Sequence, residues 1–64
     1  MQNGVVKVWD KLKGWGFIEC EDGFDYFFHS KNVRTGQIIQ TGDNVKFDEN
    51  EAQRGPTAEN VTKV

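Results

Sequence analysis

The chain is short of almost everything that small domains use as a staple. Its 64 residues include one cysteine, Cys20, and one histidine, His29. No intramolecular disulfide can form, and neither a Cys-based zinc site nor a His-rich metal site can be assembled, so no metal or other cofactor is expected. No apolar run approaches the ~18 residues of a membrane span, and no basic-then-apolar leader is present. Neither secretion by signal peptide nor a membrane partner is therefore expected. A free thiol suits a reducing compartment, and the expected location is the cytoplasm. Apolar helix formers are nearly missing as well, since Leu12, Ala52, Ala58 and Met1 are all there is. At this size a domain buries only about 60% of its unfolded surface, so the fold has to be very regular to be stable.

What the chain does have is a β inventory: seven valines, three isoleucines, eight aromatics, seven glycines and ten Asn or Asp residues. Its net charge is −2, from eight basic and ten acidic side chains. Nucleic-acid binders are usually basic, so the total argues mildly against such a partner. The distribution softens that objection. In residues 1–34, Lys7, Lys11, Lys13, Lys31 and Arg34 balance Asp10, Glu19, Glu21, Asp22 and Asp25. The surplus acid lies in residues 35–64, where Asp43, Asp48, Glu49, Glu51 and Glu59 outnumber Lys46, Arg54 and Lys63. Local grouping has to decide what bulk charge does not.

Val5 to Trp9, an apolar run broken by Lys7, predicts a first strand that the polar stretch Asp10 to Gly14 closes. Trp15 to Cys20 predicts a second, and Glu21-Asp22-Gly23 a turn of the Asp-Gly type. Asp25 to His29 is the third. Ser30 to Thr41 loses periodicity and reads as a long connection with one short helical turn near Ser30 to Val33. Asn44 to Asp48 is the fourth strand, the acids of 48–51 a solvated loop, Gln53 to Pro56 a polar turn, and Thr57 to Val64 the fifth strand. The expected architecture is all-β: a single domain over residues 1–64 forming a five-stranded antiparallel closed barrel of the OB-fold type, which leaves no exposed edges.

The faces of the second and third strands carry the functional information. By the two-residue period, Trp15, Phe17, Phe27 and His29 share one surface, bordered by Lys13, Glu19 and Asp25. Ile18, Cys20, Tyr26 and Phe28 share the other, beside small glycines that suit a tight barrel interior. Both faces are apolar and a chain this small has room for one core, so one face is left outside. Glycines on the opposite face favour the Trp15–Phe17 face as the exposed one; the alternative is that these rings are simply core. An exposed aromatic strip rimmed by charge is expected to bind something. Flat rings beside a lysine and a histidine match unpaired nucleobases and their phosphates. Trp9 has two open readings, a place in the barrel wall and a place in a neighbouring base subsite. His29 has no nucleophile or paired acid at a telling spacing, so no catalytic residue and no enzyme activity are expected.

The run Lys13-Gly14-Trp15-Gly16-Phe17-Ile18 resembles the first ribonucleoprotein motif of the cold-shock domain, and Tyr26-Phe27-Phe28-His29 resembles the second. Gly4, Val6 and Lys7 are similar to that family's opening strand, Gly42, Val45 and Phe47 to its fourth, and Arg54, Gly55, Pro56, Ala58, Asn60 and Val61 to its closing turn and strand. The resemblance implies an OB-type barrel that binds single-stranded RNA and single-stranded DNA. Carried over residue by residue, it implies base stacking on Trp15, Phe17, Phe27 and His29. It further implies charge and hydrogen-bond donors from Lys7, Lys13 and Arg54, and a base-edge hydrogen bond at Asp25. The chain departs from the family pattern at Val8-Trp9, where Trp-Phe is usual, at Ser30, where an aromatic is usual, and in a shorter connection in which Ile38 stands nearest the usual aromatic. These departures predict a shortened footprint.

The expected function is sequence-tolerant binding of single strands by a monomer that traps unpaired bases, as an RNA chaperone does. No Gly-Lys-Ser/Thr phosphate loop is present, which excludes ATP-driven unwinding by this chain. The rival is a protein-interaction OB module in which Trp15 and Phe17 anchor a partner.

Overall fold

The alternation in the sequence is realised as five strands in the computed structural model, which describes residues 1–53 and 55–64. They are β1 (Gln2–Asp10), β2 (Trp15–Cys20), β3 (Asp25–His29), β4 (Asn44–Ala52) and β5 (Gly55–Lys63), with one 3₁₀ turn at Ser30–Asn32. β2, β3 and the 3₁₀ turn fall where the sequence places them. β4 is longer than expected. It runs on to Ala52, so the acids of 48–51 lie in a strand and not in a loop, and Pro56 lies inside β5 opposite Glu51. The reason is that Glu49 to Ala52 are all exposed: this end of the hairpin stands clear of the core, so no apolar alternation marks it. Arg54, an expected site residue, lies outside the described residues.

The strands close in the order β1-β2-β3-β5-β4. Four seams are antiparallel, while β3 meets β5 in parallel at Phe27 and Thr57, with a further parallel bridge between Val33 and Val61. The expected five-stranded antiparallel closed barrel is present, and one of its seams has to be parallel, because strict alternation of direction over an odd number of strands brings the last strand back parallel to its neighbour. The long connection after β3 exists to make this crossover.

Val6, Ile18, Cys20, Tyr26, Phe28, Ile39, Val45, Phe47, Ala58 and Val61 fill the barrel. Burial, reinforced by Asp22, Glu49, Asp25 and Glu21, pushes the Cys20 thiol up to about 11, so it packs as a small apolar group and holds its proton at neutral pH. The Trp9 indole stacks on Phe28 with ring centroids 5.2 Å apart and planes 6° from parallel. Gly16 makes that stack possible. A Cβ there would collide with the Val8 carbonyl and stand 3.0 Å from the Trp9 ring and 3.2 Å from Phe28.

Gly16→Ala should accordingly cost about 1–3 kcal/mol, the usual range for overpacking. Thermal unfolding followed by circular dichroism checks this, and an unchanged melting temperature would show that the Trp9–Phe28 stack does not constrain β2.

Candidate nucleic-acid interface

β2 and β3 pair with Trp15 opposite His29, Phe17 opposite Phe27 and Glu19 opposite Asp25. That register puts Trp15, Phe17, Phe27 and His29 on the outer surface while Ile18, Cys20, Tyr26 and Phe28 go to the core. The reading of Trp15 and Phe17 as core residues is thereby excluded. The rings touch one another. Phe17 and Phe27 lie 5.7 Å apart, edge to face at 73°, Trp15 and Phe17 lie 5.8 Å apart at 83°, and Trp15 and Phe27 lie 6.4 Å apart at 22°. Such spacings hold each ring in place without closing its outer face.

The Trp15–His29 end of the strip is fixed by local hydrogen bonds. Asp10 accepts from the Lys13 N–H at its carboxylate (3.0 Å) and from the Gly14 N–H at its carbonyl (2.7 Å). Gly14, with φ at +73°, supplies the left-handed step and accepts at its carbonyl from the Ser30 N–H at 2.8 Å, tying the turn to the end of β3. His29 caps the 3₁₀ turn. Its Nδ1 accepts from the Lys31 N–H at 3.3 Å, and its own N–H donates to Asn32 Oδ1 at 2.9 Å. In the neutral imidazole an accepting Nδ1 leaves Nε2 as the nitrogen that carries the proton, a donor available to a ligand.

The first strand contributes through a bulge. Val6 pairs with Ile18 but Val8 pairs with Phe17, so Lys7 is the extra residue. Beyond it the two faces exchange. Val8 comes to the outer surface beside Phe17, 41% exposed, and Trp9 turns inward opposite Gly16. Lys7 reaches Asp25 Oδ2 at 3.2 Å and Glu19 Oε2 at 3.9 Å. Exposed pairs of this kind add little stability, but this one partly neutralises two carboxylates that border the rings.

Of the expected site residues, Trp15, Phe17, Phe27 and His29 are brought together, Lys7 and Asp25 meet at one end, and Lys13 is exposed in the turn before Trp15. Trp9 is half-buried on the inner side, apart from the strip. Val8, not among the expected site residues, is brought to the outer surface beside Phe17 by the bulge. Among the described residues, no three His, Cys, Asp or Glu side chains are grouped to hold a metal ion.

A closed five-stranded barrel in this strand order, with an aromatic strip on the outer wall of its second and third strands, is a barrel of the OB type. The family model described as 'Cold-shock' DNA-binding domain matches residues 2–64, and the chain belongs to that family. It is 42% identical over 66 residues to the major cold shock protein of Streptococcus pyogenes serotype M1, covering 100% of this chain and 98% of that one. It is 44% identical over 63 residues to cold shock protein 1 of Lactiplantibacillus plantarum, covering 95% and 96% of the two chains. It is 46% identical over 67 residues to the cold shock-like protein CspLB of Listeria monocytogenes, covering both chains in full.

Val8 offers a branched aliphatic surface in line with the rings. Val8→Trp is expected to raise affinity for a short oligothymidine several-fold or more, within the roughly 1–3 kcal/mol of one added base stack. A length series of oligothymidines against both proteins measures it, and equal affinity at every length would place Val8 outside the path of the strand.

Proposed function

We propose that this chain, as a single cytoplasmic domain, binds single-stranded RNA and single-stranded DNA by stacking bases on Trp15, Phe17, Phe27 and His29. It is an RNA chaperone in this reading: it captures bases while they are unpaired and so opposes the re-formation of secondary structure, with no bond made or broken. The observation that carries the reading is the mutual contact of Trp15, Phe17 and Phe27 on the outer face of β2 and β3. The core is complete without them, and a ring whose face is open to solvent suits a base, since every base has a π-face. His29 adds a ring and a donor at Nε2, and Asp25 a hydrogen-bond acceptor for a base edge. Lys13 and Arg54 supply cationic donors. Lys7 is engaged with Asp25 and Glu19, which makes it a partner of the base-reading carboxylate more than a free phosphate contact.

Intrinsic tryptophan fluorescence tests the reading, because Trp15 lies on the strip. Titration with an oligothymidine should quench it strongly, and no quenching at low salt would favour the protein-interaction module. Phe17→Ala and Phe27→Ala should each weaken binding by about 1–3 kcal/mol. Because the two rings touch, the double variant should lose a different amount from the sum of the singles. Variants that remain folded by circular dichroism and bind normally would remove the strip from the interface.

Salt dependence separates stacking from charge. Few cations border the rings and the net charge is −2, so few counterions are released and the slope of log K against log salt should be shallow. A slope like that of a highly basic protein would overturn the stacking-led mechanism.

A further inference from the structure

β2 runs from the Asp10–Gly14 turn to the Glu21–Gly23 turn, and β3 runs back, so the aromatic strip has two unlike ends. At the first end Leu12 projects between the exposed side chains of Lys11 and Lys13, itself 98% exposed. At the other end lies a cleft lined by the apolar Phe24, Tyr26 and Pro56 and by the carboxylates of Asp22, Glu49 and Glu51. Phe24, immediately before β3, continues the row of Tyr26 and Phe28 back beyond its first residue and stays 64% exposed. Asp22 accepts from the Phe24 N–H at 2.9 Å, and Glu49 accepts from the Gln2 amide at 2.7 Å, so the cleft has defined walls. Among the described residues, no lysine or arginine lines it.

We infer that copies of this chain bound along one nucleic-acid strand dock head to tail, the Lys11-Leu12-Lys13 turn of one copy seated in the Phe24 cleft of the next. The two surfaces are complementary in kind: an apolar side chain between two cations meets an apolar floor between carboxylates. They are also complementary in place. A strand that follows the rings leaves one copy at its acidic end and enters the next, lying in the same direction, at its basic end. One turn in one cleft buries far less than the roughly 1,200 Å2 of a stable interface, so copies free in solution stay apart. On a shared strand the neighbour is held at an effective concentration of order mM, where a weak contact is populated. The contact is heterologous and does not close on itself, which suits a linear template.

This inference rests on the proposed single-strand binding, and the test separates the two. The probes are an oligothymidine that holds one copy and a polythymidine that holds many, both followed by tryptophan fluorescence. The protein should bind the long strand several-fold more tightly per site than the short one, with a sigmoidal isotherm. Leu12→Ser and Phe24→Ser should each remove that advantage and leave affinity for the short probe unchanged. Lys11→Glu and Glu51→Lys should each reduce the long-to-short ratio, and the double variant should restore it. Equal affinity per site on both probes, or an advantage that survives Leu12→Ser and Phe24→Ser, overturns the head-to-tail contact while leaving single-strand binding intact. Binding to neither probe overturns both.

Discussion

A barrel of five short strands has an interior that admits one row of side chains from each strand. Phe28 and Phe47, both fully buried, take much of that space. The interior is then so crowded that Gly16, next to Phe28 across the β2–β3 ladder, can carry no side chain, and Trp9 covers the pair from the first strand. With Tyr26 also inside, the remaining rings of β2 and β3, Trp15, Phe17 and Phe27, stand outside. The aromatic strip is therefore the second product of the same two-residue period that builds the core, and its rigidity comes from the ladder beneath it. Binding groups placed on paired strands hold their spacing better than groups placed on loops.

The bulge at Lys7 sets how far this surface extends. Without the extra residue, Val8 would follow Val6 into the core opposite Gly16, and Trp9 would stand outward opposite Trp15 as a further ring. With it, the indole becomes a packing element and an aliphatic side chain is left on the surface. The same bulge brings the Lys7 ammonium to Asp25 and Glu19. One inserted residue thus decides which ring is structural and which end of the strip is polar.

β2, β3 and their division into faces were legible in the sequence because both faces of each strand carry side chains of definite character. The 3₁₀ turn was legible too, from the loss of periodicity after His29. The bulge was not. A single polar residue in an apolar run, as Lys7 is between Val6 and Val8, looks the same whether it points outward or is inserted. The end of the β4–β5 hairpin was hidden for a different reason. Glu49, Asn50 and Glu51 meet solvent, so their strand state is recorded in the ladder to Ala58, Thr57 and Pro56 and nowhere in their hydrophobicity. The parallel β3–β5 seam depends on strand count and crossover, properties of the whole chain that no local pattern encodes.

An acidic protein is an unexpected ligand for a polyanion until the placement of its charges is compared with the reach of the field. In the closed order β1-β2-β3-β5-β4, the β4–β5 seam lies across the barrel from β2, and it carries Asp48, Glu49, Glu51 and Glu59. The molecule measures 24 × 23 × 18 Å, whereas a Debye length at physiological salt is about 8 Å. Those carboxylates are screened from a strand on the far wall. Glu19 and Asp25 are not, but Lys7 stands between them. Two unit charges about 4 Å apart in water interact by only about 1 kcal/mol, less than most base–aromatic stacks, each about 1–3 kcal/mol. In the proposed mode, with three rings in contact and His29 beside them, stacking would exceed the residual repulsion, so a net charge of −2 does not count against a nucleic-acid partner.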